Sequence, residues 1–306
     1  MAGHTNENAY KILYNVRIDL NEYSAGLWAG TETHGKYSNT YLLNKMNDAQ
    51  ARMVALMLKA DAREFYYSTS SVSVVSSVIT LPYDFGRIMQ LEDSQGYKVY
   101  PSTAKITPVT GAEGSDNLYY RSGRTLVLNK AGVTDTYTLK YFRQPRKLTW
   151  GAATAGSGLN SLILAASDLT SGRNDYYNNL TIDNYTQGLS ATISDYVGST
   201  RTATTATTAI TWATSDIYGT VPDLPDELHG LVEPLTVIMV KQLHPASQEK
   251  PGATELKLWA EQFMEALVAY SNQPDDISME SIFTDFQLNT PGMAIDVPGQ
   301  GYLIQG

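Results

Sequence analysis

The chain has 306 residues, 42% of them hydrophobic and 17% charged, which allows two or three small domains and excludes a disordered or coiled-coil chain. A formal charge of −9 argues against a groove that grips nucleic acid through Lys and Arg contacts to phosphate, although DNA could pass such a surface without sticking. The absence of cysteine removes disulfides, thiolate metal sites and cysteine nucleophiles, and neither a secretory leader at the N-terminus nor an apolar run near the roughly 20 residues of a membrane span is visible.

The first element is a helix over residues 9–23, because Ile12, Leu13, Val16, Leu20 and Tyr23 recur at helical spacing. After a Gly-containing break, Ser38 and Asn39 supply caps for a second helix. Leu42, Met46, Ala49, Met53, Leu56, Met57 and Ala60 keep the three-four rhythm, and the helix is expected to run to about Tyr67. Residues 72–80 then alternate Ser with Val, and Leu81-Pro82 stops that run, since proline has no amide donor and holds its predecessor extended. Ile88–Glu92 and Tyr97–Tyr100 form a hairpin across the polar turn Asp93-Ser94-Gln95-Gly96. A second hairpin pairs Leu118–Arg121 with Thr125–Leu128, and Thr136–Phe142 is a last strand. Together they predict an antiparallel β-domain over 72–150.

From Gly151 the composition shifts to Gly, Ala, Ser, Thr and Asn, with only seven charged residues between Ala155 and Thr220. Strands are expected at Leu162–Ala165, Leu180–Tyr185, Ala191–Val197 and Thr202–Ala206, giving an inserted all-β domain over 151–221. Leu224-Pro225 opens a further helix whose apolar face is Leu228, Leu231, Val232, Leu235, Ile238, Met239 and Leu243, with a kink expected at Pro234. A final helix carries Leu256, Trp259, Phe263, Leu267 and Tyr270. The apolar faces at the two chain ends need partners, so residues 1–71 and 222–271 are expected to form one helical bundle. The fold class is therefore α+β: a bundle built from both chain ends, an antiparallel β-domain and a second, inserted β-domain. Residues 272–306 read as an extended arm.

Two groups of residues resemble a known family. The Leu81-Pro82-x-Asp84-Phe85 box precedes a strand, a polar turn and Tyr100-Pro101. Upstream stand Arg17, Leu20, Asn21, Glu22, Trp28, Asn47, Asp48, Ala49 and Gln50. In this order they resemble the head-to-tail adaptor (connector, head-completion) proteins of tailed bacteriophages. The insertion separately resembles a small β-module of phage virion proteins, through Tyr177, Asn178, Leu180, Ile182, Gly188, Ile193, Asp195, Tyr196, Val197 and Gly198, with Trp212 closing it. The resemblance implies a structural virion protein of the neck, between capsid and tail and assembled in the host cytoplasm. It would form a homo-oligomeric, dodecameric ring that meets a portal protein and a tail or nozzle protein, possesses a channel for DNA during genome ejection, and reaches tail fibres through the module. The alternative is a tail or fibre module that binds host-surface glycans through its Thr- and Tyr-rich strands.

No catalytic, metal or cofactor set is legible, and an enzyme is not expected. His4, His34, His229 and His244 lie far apart and read as surface or capping residues. Asp168, Asn174, Asp175 and Asn178 cluster as oxygen donors but lack the ordered spacing and closing glutamate of a calcium loop. No carboxylate pair stands out from solvent-facing acids. The arm is the expected interface: Ile282, Phe283, Phe286, Leu288, Met293, Ile295, Tyr302, Leu303 and Ile304 are too many hydrophobes for a free linker, and a segment of this kind gains order by lying along another chain.

Overall fold

A computed structural model describes residues 7–22, 36–60, 64–109, 117–166, 170–206, 210–243 and 253–270. Four α-helices gather into one bundle: α1 (Ala9–Asp19), α2 (Asn39–Lys59), α3 (Val232–Leu243) and α4 (Ala253–Tyr270). Asn8 caps α1 by accepting the Lys11 amide at 3.0 Å, and Ser38 caps α2 by accepting the Tyr41 amide at 3.1 Å. One core runs through all four, with Ile12, Met46, Met53, Leu235 and Phe263 at zero exposure. The two chain ends thus build a single bundle, as their unpartnered apolar faces required.

Three boundaries differ from the sequence reading, the first being that helix α1, expected over 9–23, ends at Asp19 with Leu20 as its C-cap. Helix α2 stops at Lys59, and a 3-10 turn, Glu64–Tyr66, leads directly into a strand at Tyr67. The apolar rhythm carried no signal for that strand because none of its first residues, Tyr67–Ser71, is fully buried. The helix expected from Asp226 onward is a 3-10 helix, Asp226–Leu231, followed by α3. Pro234 is the third residue of α3, where a missing amide costs no intrahelical bond, so the break falls before the proline rather than at it.

Seven strands close a barrel: β1 (Tyr67–Val75), β2 (Val78–Thr80), β3 (Phe85–Glu92), β4 (Lys98–Pro101), β5 (Leu118–Ser122), β6 (Thr125–Leu128) and β7 (Asp135–Arg143). They are ordered β1-β2-β6-β5-β4-β3-β7, with β7 returning to β1. The Ser/Val run is two strands, reversed at Ser76 and Ser77, whose φ values of 50° and 68° suit a primed two-residue turn. The β3–β4 hairpin forms as read, with the Asp93 carboxylate accepting the amides of Gln95 and Tyr97 at 3.0 and 2.8 Å. The barrel is not wholly antiparallel, because β4 runs parallel to β5, pairing Tyr100 with Leu118.

The inserted segment forms six strands: β8 (Trp150–Ala152), β9 (Ser161–Ile163), β10 (Thr181–Asn184), β11 (Leu189–Val197), β12 (Thr202–Ala206) and β13 (Ile217–Thr220). They make an antiparallel half-barrel ordered β8-β13-β10-β11-β12-β9, and just past β8 the Thr154 amide donates to Ile163 of β9 at 3.1 Å. Its core sets Tyr177, Tyr196, Trp212 and Tyr218 among aliphatic side chains. Tyr177 and Tyr196 meet edge to face at 4.8 Å, and their hydroxyls bond the backbone of Ser171. Strands β8 and β13 were invisible to sequence reading, because each is short and its partner lies some 70 residues away.

Candidate functional site at the junction of bundle, barrel and module

Besides the 3-10 turn that leads from α2 into the barrel, two chain segments join the three bodies: Gln144–Thr149, from β7 to β8, and Val221–Pro225, from β13 to the 3-10 helix. Each brings charge into a place that a proline keeps extended, Arg143 and Arg146 around Pro145, and Asp223 after Pro222. Asp223 is 3% exposed. Its carboxylate accepts from Arg143 at 2.5 Å, from the Arg146 guanidinium at 3.0 and 3.1 Å, and from the Arg146 amide at 2.9 Å. The remaining Arg146 arm donates to the Asn178 carbonyl, which draws the module into the same network. Tyr66 donates its hydroxyl to the Asp223 carbonyl at 2.7 Å, and the Arg143 guanidinium lies over the Phe65 and Tyr66 rings at 5.1 and 5.2 Å.

Helix α2 holds both segments. Gln50 donates to the Arg146 carbonyl and accepts the Asp223 amide, each at 2.8 Å, while Asn47 accepts the Leu148 amide at 2.7 Å. The ladder Thr149–Thr220 continues the seam into the module, the Thr220 amide donating to the Thr149 carbonyl at 2.9 Å. A cleft of about 460 Å³ opens beside this knot, walled by Tyr83, Asp84, Asn179, Asp226 and His229.

The protonation states follow from burial and partners. Burial pushes the Asp223 carboxyl up, but the hydrogen bonds and charges of Arg146 and Arg143 outweigh it and hold the group below its ordinary value. Burial likewise works against the Arg146 charge, and Asp223 more than restores it. Burial first, then the Asp84 charge, pushes the Tyr83 hydroxyl up to about 12. A carboxylate clasped by two guanidiniums is a poor base, and tyrosines raised in this way stay neutral. Chemically, the arrangement is a clasp.

A second joint seats α1 on the module. Asn8 donates to Asp183 at 2.9 Å, and Ser190 donates to the other Asp183 oxygen at 2.6 Å. At Gly219 in β13, any Cβ would stand 2.8 Å from Asn8 Oδ1 and 2.9 Å from the Tyr10 amide, so the helix start lies directly on that strand. Within the bundle, Arg17 is 1% exposed and ties the α1–α2 connection together through Asn39 and the Tyr37 carbonyl, each at 3.0 Å, with Glu22 at 3.4 Å.

Among the residues that carry the family resemblance, Arg17, Glu22, Asn47 and Gln50 all serve these joints, whereas Trp28 lies outside the described residues. Tyr177, Ile182, Ile193, Tyr196 and Trp212 form the module core, and Asp195 points to solvent. The expected interface residues Ile282, Phe283, Phe286, Leu288, Met293, Ile295, Tyr302, Leu303 and Ile304 lie outside the described residues, as do His4, His34, His244 and Asp168. His229 is not a surface residue: it is 8% exposed and its Nε2 meets the Leu224 carbonyl at 2.8 Å, because the 3-10 helix turns it inward. In the oxygen-donor cluster, Asn174 accepts the Gly198 amide and Asp175 accepts from Asn178, both at 2.9 Å. Among the described residues, no group of three or more His, Asp or Glu side chains converges as metal ligands, and no helix is long and apolar enough to cross a membrane. The Arg143–Arg146–Asp223 knot escaped sequence reading, because Asp223 stands 77 residues from Arg146 and no local pattern pairs them. No family model matches the chain, and comparison with curated proteins finds no match.

Proposed function

We propose that this chain is a structural virion subunit: a head-to-tail adaptor that assembles as a ring between the portal and the tail of a tailed bacteriophage. One observation carries the reading. The residues that resemble the adaptor family in the first two helices, Arg17, Glu22, Asn47 and Gln50, are spent on joining helix to helix and bundle to barrel, which is where an assembly subunit needs rigidity. The clasp around Asp223 supports the same role, because two guanidiniums shared by one buried carboxylate fix three bodies in one orientation. A net charge of −9 suits a channel that lets DNA slide past. The subunit works by shape: portal on one face of the ring, tail or nozzle on the other. Negative-stain imaging of the purified chain tests this. Closed rings of uniform diameter are the expected result, and uniformly monomeric particles, in the presence as well as the absence of portal protein, would overturn it.

A further inference from the structure

A groove of about 520 Å³ runs between α2 and the barrel. Its floor is apolar and shallow: Ala51, Val54, Ala55 and Leu58 on α2 face Phe142 and Pro145 on the barrel side. Ala51 and Ala55 are exposed and Val54 between them is buried. Arg87 and Lys147 stand on the rim, both exposed, and no carboxylate pairs with either among the described residues. Asp48, the acid of the groove, is already paired with Lys45 at 3.0 Å.

We infer that this groove is the seat of the chain's own C-terminal segment, residues 275–288. Three observations favour that occupant. The first is position. Helix α4 ends at Tyr270, whose hydroxyl is hydrogen-bonded to the Phe65 backbone, and the Phe65 ring lies 5.1 Å from the Arg143 guanidinium, which lines the groove. The chain therefore leaves its last helix two side-chain contacts from a residue of the groove, Phe65 itself lining the neighbouring cleft. The second is charge. Residues 271–306 contain Asp275, Asp276, Glu280, Asp285 and Asp296 and not one Lys, Arg or His, complementary to a rim of unpaired cations. The third is shape. Ile282, Phe283 and Phe286 offer large side chains to a floor whose exposed positions are alanines.

Reach is no obstacle. The eleven residues 271–281 span up to about 36 Å when extended, more than the roughly 31 Å length of a 21-residue helix such as α2. Tethering favours the chain's own segment over that of another copy, because a short flexible link gives an effective concentration of about a millimolar. The seat does not depend on ring formation.

Because the chain has no cysteine, engineered pairs report on this seat without background. In the full chain, Ala55→Cys is combined with Phe283→Cys, and separately Ala51→Cys with Phe286→Cys. The control pair is Ser122→Cys with Phe283→Cys, Ser122 being exposed at the β5–β6 turn. Under mild oxidation, at least one groove pair is expected to form a disulfide within one chain about tenfold faster than the control, since the bond demands a Cα separation near 6 Å. Adding Arg87→Glu and Lys147→Glu should slow it severalfold. Linkage between two chains instead of within one, or rates equal to the control for both pairs, would overturn the assignment.

Discussion

The amide of Asp223 donates to the Gln50 side chain at 2.8 Å across 173 residues of sequence. That one bond ties the second helix to the segment returning from the module. The same carboxylate holds Arg143 and Arg146, so the bundle, the barrel and the inserted half-barrel share a single polar knot. Its removal has a calculable consequence.

Asp223→Asn keeps the shape and the amide bond to Gln50 but leaves two largely buried guanidiniums without their counter-charge. Breaking such a pair from one side costs about 3 kcal/mol. Urea denaturation of the variant should show its midpoint lowered accordingly. A midpoint equal to the parent's would mean that the knot adds nothing to stability.

Acid should act on the same group. Because the folded-state value of Asp223 lies below its ordinary 3.8, its contribution is complete at higher pH and drains away as pH falls below 3.8 through the folded value. Glu233 behaves oppositely. Burial raises its carboxyl, the Asn15 hydrogen bond only partly opposing this, so the native state loses stability as pH rises from the ordinary 4.5 through the raised value. Glu233→Gln should therefore gain Tm relative to the parent at about pH 7 and lose that advantage at about pH 4. A difference independent of pH would contradict the assignment.

Gly219→Ala tests the seat of α1 on the module. Its Cβ would stand 2.8 Å from Asn8 Oδ1 and 2.9 Å from the Tyr10 amide, both held in the helix start, so the helix must shift. Overpacking of this kind costs about 1–3 kcal/mol. Hydrogen exchange should report faster opening of the first turn of α1, with the barrel amides unchanged.

Phe263→Ala probes the bundle itself. Phe263 is wholly buried and stacks on Trp259 at 5.2 Å, and the truncation costs about 3–5 kcal/mol. Met53→Asp places an unpaired charge at an equally buried site on α2 and should abolish the helical signal of the bundle. A folded, helical Met53→Asp product would contradict the shared core.

The four helices, the β3–β4 hairpin and the β5–β6 hairpin were legible because each is specified locally, by a 3.6-residue rhythm or by turn residues such as Asp93 and Gly96. The parallel β4–β5 pairing, the β8–β13 pair and the closing of the barrel by β1 on β7 depend on contacts between distant residues and leave no periodic trace. Pro234 misled because its effect depends on position: in the first turn it replaces an amide that had no partner. Gln50 and Asn47 fall outside the apolar rhythm of α2, and nothing local says what they face. Only the fold shows that they face the segment Arg146–Leu148 and not water.

The central claim is assembly, and mass photometry of the purified chain, alone and mixed with portal protein, tests it most directly. The account predicts a single homo-oligomeric species, at a whole-number multiple of 33.6 kDa, that binds portal as a unit. A monomer that also fails to bind portal would contradict it.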